Sequence, residues 1–328
     1  MKFAVGMIGQ NLYPGSQKLW WEDVSADEMA RMLRRADELG FDMVRVGEHV
    51  VMQESWVDVM GPRWVDCLSA LAFAAGTTKR ITISSGIIVA AYHNPIALAK
   101  ALATIDYLSG GRLVFATAVG HMEWEFELLG VPFADRGAIL DEYVDAILEL
   151  WTSERPSFTG EHVHFEGIVF DPRPRQKPHP PIWFGGHSKA SARRVARVGD
   201  GWMPWGVTRR ELPAMLEYIR SQPEYLDRPR KLDVFMTLFE GVADPDTHTF
   251  IEPPKVVLDR DAILEQVETL AALGVTITDA DPILGWGHFG HAGSEGLPPI
   301  RSCDEYVERL EWFAEEILPA AQAIAPAA

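Results

Sequence analysis

Two cysteines, Cys67 and Cys303, are all that this chain of 328 residues contains. That is too few for a disulfide framework and points to a reducing, cytoplasmic setting. No apolar run reaches the roughly 18 residues that a membrane span requires. The N-terminal MKFAVGMIGQ passes straight into strand-like alternation, without the apolar stretch and small-residue cleavage site of a secretory signal. Positive charge is scarce: 30 Lys and Arg face 47 Asp and Glu, a net charge of −17 that argues against nucleic acid or an anionic membrane as partner. A P-loop and a Gly-x-Ser-x-Gly elbow are missing, which disfavours phosphotransfer and covalent hydrolase chemistry. The pairs His162-x-His164 and His288-x-x-His291 lack an acid or cysteine at ligand spacing, so no metal is expected.

What is present is an alternation of short β-branched runs and amphipathic helices, in a chain whose 47% hydrophobic content can fill a large core. Lys2 to Gly9 reads as a first strand. Ser25 opens a helix with Glu28 at the capping-box position and Gly40 as its stop. Met43 to Gly47 is a second strand, followed by a loop, Glu48 to Pro62. A helix from about Val65 to Gly76 leads to a strand over Ile81 to Val89. The helix after Asn94 leads through Ser-Gly-Gly-Arg to the strand Leu113–Ala118 and a polar exit loop. A long helix covers Arg136 to Trp151. Residues 152–181, ending in PRPRQKPHPP, read as a surface insertion, in part a hairpin. Further strands are predicted at Ile182–Phe184, Gly201–Trp205, Leu232–Phe239 and Val275–Thr278. Eight such steps predict an α/β (β/α)8 TIM barrel with loop insertions, one domain over residues 1–328. A doubly wound sheet is the weaker alternative, since Gln10-Asn11-Leu12-Tyr13-Pro14 stands where a dinucleotide fingerprint belongs.

In a barrel the chemistry sits just past the C-terminal ends of the strands. Those positions hold Gln10 and Asn11, Glu48 and His49, Tyr92 to Asn94, His121 and Glu123, Gly185 to Ser188, and Trp286 and His288. Gly185-Gly186-His187-Ser188 combines close backbone approach with a capped helix N-terminus that suits a phosphate, with Lys189 adding charge. The same residues also suit a plain strand-to-helix connection. His49 is placed to polarise a carbonyl or move a proton, or to serve as a satisfied structural histidine. Ser85-Gly86 inside a buried strand marks an unusual backbone or a simple bulge. Tryptophans at 20, 21, 56, 64, 202, 205 and 286 supply aromatics for a barrel mouth, at least half of them expected to pack loops onto the rim.

Four stretches, ADELGFDMVRVGEHV, HNPIALAKALATIDYLSGGRLVF, LLGVPFADRGAILDEYVDAILELWTS and PRPRQKPHPPIWFGGHSKASARRVARVGDGWMP, resemble the bacterial-luciferase-like monooxygenase superfamily. The resemblance is closest to its branch of predicted coenzyme F420-dependent oxidoreductases and covers residues 1–210 best. It implies a cytoplasmic oxidoreductase passing hydride between F420 and a small organic substrate. His49 is implied as catalytic beside the cofactor ring, and His121 as a second donor. The cofactor-binding residues implied are Glu48, Ser85, Gly86, Asn94, Gly120, Gly185, Gly186, His187 and Ser188. Ser85-Gly86 falls where relatives place a non-prolyl cis peptide, and Glu125 with Arg136 reads as a structural ion pair. Glu48-His49 equally resembles relatives that use FMN, so the alternative is an FMN-dependent monooxygenase supplied by a separate reductase. A third reading is a flavin-binding barrel without turnover. A homodimer is implied as well. Val119 stands where sugar-phosphate dehydrogenases of the superfamily carry a carboxylate, which speaks against that substrate.

Overall fold

Caps set the helix boundaries. In the computed structural model, which describes residues 1–11, 20–227, 231–240, 242–243, 250–252, 256–284 and 300–327, Ser25 and Glu28 form a reciprocal capping box for the helix Ala26–Leu39. Gly40, in the left-handed region at φ 90°, ends it. Asn94 caps Pro95–Ser109, whose first residue is the proline that a helix start tolerates. The segment after the fourth strand, expected as a loop, folds into the helix Glu123–Leu129. Two glutamates in its first turn and Gly130 at its end favour that outcome.

Eight barrel strands alternate with these helices: β1 (Lys2–Gly6), β2 (Met43–Val46), β3 (Thr82–Ser85), β4 (Leu113–Thr117), β5 (Ile182–Gly185), β6 (Gly201–Met203), β7 (Asp233–Val234) and β8 (Ile277–Asp279). All pair in parallel, in the order β8-β1-β2-β3-β4-β5-β6-β7. A parallel bridge between Phe235 and Ile277 and the Met236 N–H to Ile277 carbonyl bond (3.1 Å) close the seam between β7 and β8. This is the expected (β/α)8 barrel. β2 and β4 are buried along their whole length because helices cover one face and the barrel interior the other. Ala4, Met43, Val114, Ala116, Trp183, Met203, Phe235 and Ile277 pack together inside the barrel.

β3 and β7 are much shorter than their apolar runs. β3 stops at Ser85, the Gly86–Ile87 peptide is cis, and the chain rejoins the sheet where Ile88 bridges Thr117. Leu232–Phe239 contributes only β7 and the Phe235 bridge. The insertion holds the expected hairpin, Phe158–Thr159 paired with His164–Phe165. It is clamped to the barrel by two acids. Glu142 accepts from the Val163 N–H at 2.7 Å, and the fully buried Asp106 accepts from the N–H groups of Arg175 and Gln176 at 2.6 and 3.0 Å. No described helix is long and apolar enough to cross a membrane. Both cysteines are free and buried.

Removing the Asp106 carboxylate strands these N–H groups and takes one of two bonds from the Gln176 side-chain amide, which keeps the Leu113 carbonyl. Asp106→Ala is expected to cost about 2–3 kcal/mol, because bonds to a charged acceptor are lost and donors are left unpaired. Urea unfolding measures this. An unchanged midpoint would show that the insertion does not need the clamp.

Candidate active site

A cavity of about 560 Å³ opens over the C-terminal ends of the strands, within the range of small-molecule sites. A smaller one of about 260 Å³ lies at the opposite end, beside Lys2, Asp42 and Arg112. The larger cavity gathers Glu48, His49, Gly86, Gly120, His121, Gly185, Gly186, His187 and Ser188. Ser85 and Asn94 are not on its wall. The Ser85 hydroxyl donates to the Ala116 carbonyl and accepts from the Ala116 N–H, at 2.7 and 2.8 Å, stitching β3 to β4. The Asn94 side-chain oxygen is spent on the N–H groups of Ile96 and Ala97 as a helix cap. Trp286, His288 and His291 lie outside the described residues.

Glu48 and His49 are neighbours in sequence with different duties. Glu48 Oε2 accepts from the Val89 N–H at 2.7 Å, and its Oε1 lies 2.8 Å from His93 Nε2, so it ties the loop after β2 to the loop after β3. His49 Nδ1 lies 3.1 Å from Oε2 of Glu125, a carboxylate with no exposed side-chain surface. Glu125 also accepts from the N–H groups of Val50 and Val51 and from the Tyr92 hydroxyl, at 2.6, 3.3 and 3.0 Å. A carboxylate acceptor at Nδ1 assigns the proton to that nitrogen and leaves Nε2 for the cavity. The Trp64 ring stands edge-on to His49 at 4.5 Å and the His121 ring at 6.1 Å.

Burial alone would raise the Glu125 carboxyl, but the hydrogen bond and charge of His49 with the Val50 and Tyr92 donors hold it below its ordinary value. Burial, then the Glu125 charge, push the Tyr92 phenol up, so it remains a donor. The ion pair expected between Glu125 and Arg136 does not form. The Glu125 oxygens face the loops after β2 and β3, whose donors fill them. Arg136 instead lies 3.8 Å over the Phe133 ring and donates to the Phe133 carbonyl at 2.7 Å.

At the other side of the cavity β5 runs into Gly185 and Gly186, the latter at φ 107°. A Cβ on Gly185 would meet the Ala118 Cβ at 3.2 Å and Ile87 at 3.4 Å; one on Gly120 would meet Phe126 and Val89 within 3 Å. Glycine is what lets the backbone pack this closely against its neighbours. The glycine backbone on the wall together with the capped helix start suits a flat ring with a phosphate-bearing tail, the group that the resemblance implies. Ser191 Oγ donates to the Gly185 carbonyl and Trp202 Nε1 to the Gly186 carbonyl, at 2.7 and 2.9 Å. With the carbonyls tied, the Ser188-capped start of the helix Lys189–Val198 contributes its N–H groups and dipole. Lys189, expected to add charge here, lies over the Tyr218 ring. The basic side chains on the wall are Arg45, Arg136 and Arg194, which the strand-end reading missed. Arg194 was legible in principle: Ser188, Ser191 and Arg194 recur at a spacing of three, one face of a helix. Of the tryptophans, 64 and 205 line the cavity, while Trp202 and Trp21 are buried and Trp56 packs with Met60 and Trp64.

Burial works against protonated His93, yet the hydrogen bond and charge of Glu48 override it and raise its pKa above the ordinary 6.5. A raised folded value means that the pair's stabilisation is complete below about pH 6.5 and is lost as pH climbs through the folded value. The stability gap between wild type and His93→Gln, read by urea unfolding, is therefore expected to be largest near about pH 5.5 and to narrow toward about pH 8.5. A gap that stays constant over that span would overturn the pairing.

Comparison with known proteins agrees with this architecture. The chain is 30% identical over 174 residues to an F420-dependent glucose-6-phosphate dehydrogenase of Amycolatopsis mediterranei, covering 52% of this chain and 50% of the relative. It is also 30% identical over 148 residues to an FMNH(2)-dependent dimethylsulfone monooxygenase of Pseudomonas putida, covering 44% and 40%. The matches thus span about half the length of these curated relatives or less. The crystal structure of the monooxygenase RslO1 from Streptomyces bottropensis shares the fold, with a TM-score of 0.74 at 22% identity over 97% of this chain and 99% of that one. The family model for luciferase-like monooxygenases matches residues 1–248, and with the closed eight-stranded barrel this places the chain in the luciferase-like monooxygenase family.

Proposed function

We propose that the protein is an oxidoreductase that passes hydride between coenzyme F420 and a small organic substrate. One observation carries the reading: a single cavity holds a carboxylate-anchored histidine and, across from it, a glycine-lined helix N-terminus flanked by Arg136 and Arg194. FMN ends at its phosphate, whereas F420 continues past its phosphate into an acidic tail. Cations beside the helix terminus of a chain with net charge −17 suit the longer anion. Arg194 is shared with Asp141 at 2.8 Å, while Arg136 has no carboxylate partner among the described residues. Relatives named for F420 and for FMNH2 stand at the same 30% identity, so the cofactor is decided by binding and not by similarity.

Gly185, Gly186, His187 and Ser188 would hold the phosphate, and Gly86 and Gly120 would face the ring system. When bound, F420 supplies a carbon that gives or accepts hydride. His49, its Nδ1 proton held by Glu125, presents Nε2 to the substrate oxygen and carries the proton there. His121, 6.1 Å from His49, is the second donor. Trp64, Trp205 and the buried Met60 supply an apolar wall that orients the substrate and excludes water. Val119, half-buried on the same wall, supplies no carboxylate of the kind that the superfamily's sugar-phosphate dehydrogenases carry there, so a sugar phosphate is disfavoured as substrate.

Fluorescence titration with F420 and with FMN tests the cofactor. Micromolar binding of F420 with much weaker FMN binding is expected, and the reverse order would end the F420 reading. On a substrate found by screening with the bound cofactor, His49→Ala is expected to lower turnover about 10²- to 10⁴-fold with little change in cofactor affinity. Unchanged turnover would remove His49 from catalysis.

A further inference from the structure

A buried charged cluster interrupts the largely apolar interior of the barrel. Arg45 of β2, two residues beyond the inward-facing Met43, has only 8% of its side chain exposed. Its Nη2 donates to Asp281 Oδ2 at 2.6 Å and lies 3.5 Å from Asp279 Oδ2, and its guanidinium carbon sits 4.4 Å over the Phe235 ring. Asp281 accepts the Gly6 N–H and Asp279 the Leu238 N–H, at 2.7 and 2.9 Å. The Arg45 Nε is buried with no hydrogen-bond partner among the described residues. Among the described residues this guanidinium makes its ion pairs through Nη2, and a buried donor left unmade is costly. Arg45, Asp279, Phe235 and Gly86 all form part of the cavity wall, and a Cβ on Gly86 would lie 3.2 Å from the Arg45 Cβ. Donors and a carboxylate acceptor thus stand side by side at the inner end of the cavity.

We propose that Arg45 and Asp279 form a subsite for a neutral imide edge, the C=O, N–H, C=O face that the pyrimidinedione rings of F420 and FMN share. The guanidinium donates to a ring carbonyl and the Asp279 carboxylate accepts from the ring N–H. The inference rests on the reading that a deazaflavin or flavin occupies the cavity, and not on which of the two does. A carboxylate ligand suits the place less well, since Asp279 and Asp281 already face the guanidinium. Burial pushes the Asp281 carboxyl up to about 7 and raises Asp279 as well, while the Arg45 charge opposes both shifts.

The test is affinity, followed by fluorescence, for F420, FMN and the 3-methyl derivative of each, which keeps both carbonyls and loses the N–H. Wild type is expected to bind the 3-methyl form of its preferred cofactor about ten- to a hundredfold more weakly, the worth of a bond to a charged group. Arg45→Lys, which keeps the charge beside Asp281 but not the planar fork, is expected to weaken the parent cofactor about tenfold and shift its bound absorption band. Equal affinity for methylated and parent forms overturns the subsite, as does an Arg45→Lys variant with wild-type affinity and spectrum. FMN binding without F420 binding ends the F420 reading and tests the imide contact on FMN. Binding of neither cofactor overturns both.

Discussion

Glu125 has no side-chain surface in water, and four donors from two other loops converge on it. Burial raises the energy of an ionised carboxylate steeply, so it persists only where nearly every lone pair is filled. Here the filling groups are the His49 ring, the N–H groups of Val50 and Val51, and the Tyr92 hydroxyl. The loops after β2 and β3 are thereby drawn onto the helix that follows β4. The orientation of His49 is a by-product of satisfying that one buried charge.

A second acid–histidine pair repeats the device one position earlier in sequence. Glu48 takes the Val89 N–H and His93, bracing the same two loops from the other side. The two carboxylates therefore divide the work. Glu48 fixes the segment after the cis Gly86–Ile87 bond, and Glu125 fixes the histidine that faces the cavity. This explains why the Glu48 carboxylate, although on the cavity wall, has its strong bonds within the protein.

Charge is distributed unevenly. The chain carries −17 overall, yet arginines stand at both ends of the cavity: Arg45 against the barrel interior, Arg136 and Arg194 beside the helix N-terminus. A cavity walled by low-dielectric protein focuses the local field, so nearby arginines and the helix dipole outweigh distant surface acids for a ligand inside it. An anionic ligand is then compatible with an acidic protein, a point that net charge alone conceals.

The alternation of strands and helices was legible because its causes are local. The Ser25–Glu28 box, Gly40, Asn94-Pro95 and the Ser188 cap each act within a few residues of themselves. The strand ends, and with them His49 and Gly185 to Ser188, follow from that alternation. Side-chain allegiance did not. Ser85 and Asn94 stand beside the cavity in sequence, but neighbouring backbone groups claim their polar atoms first. Glu125 serves His49 from 76 residues away, and Arg45 meets Asp281 from 236. The amino-acid sequence by itself determined the barrel and the loops that line its cavity, through caps and periodicity that need no distant partner. Only the tertiary structure decided which acid holds which base, because burial forces each charged group to pair with whatever the closed barrel brings within about 3 Å.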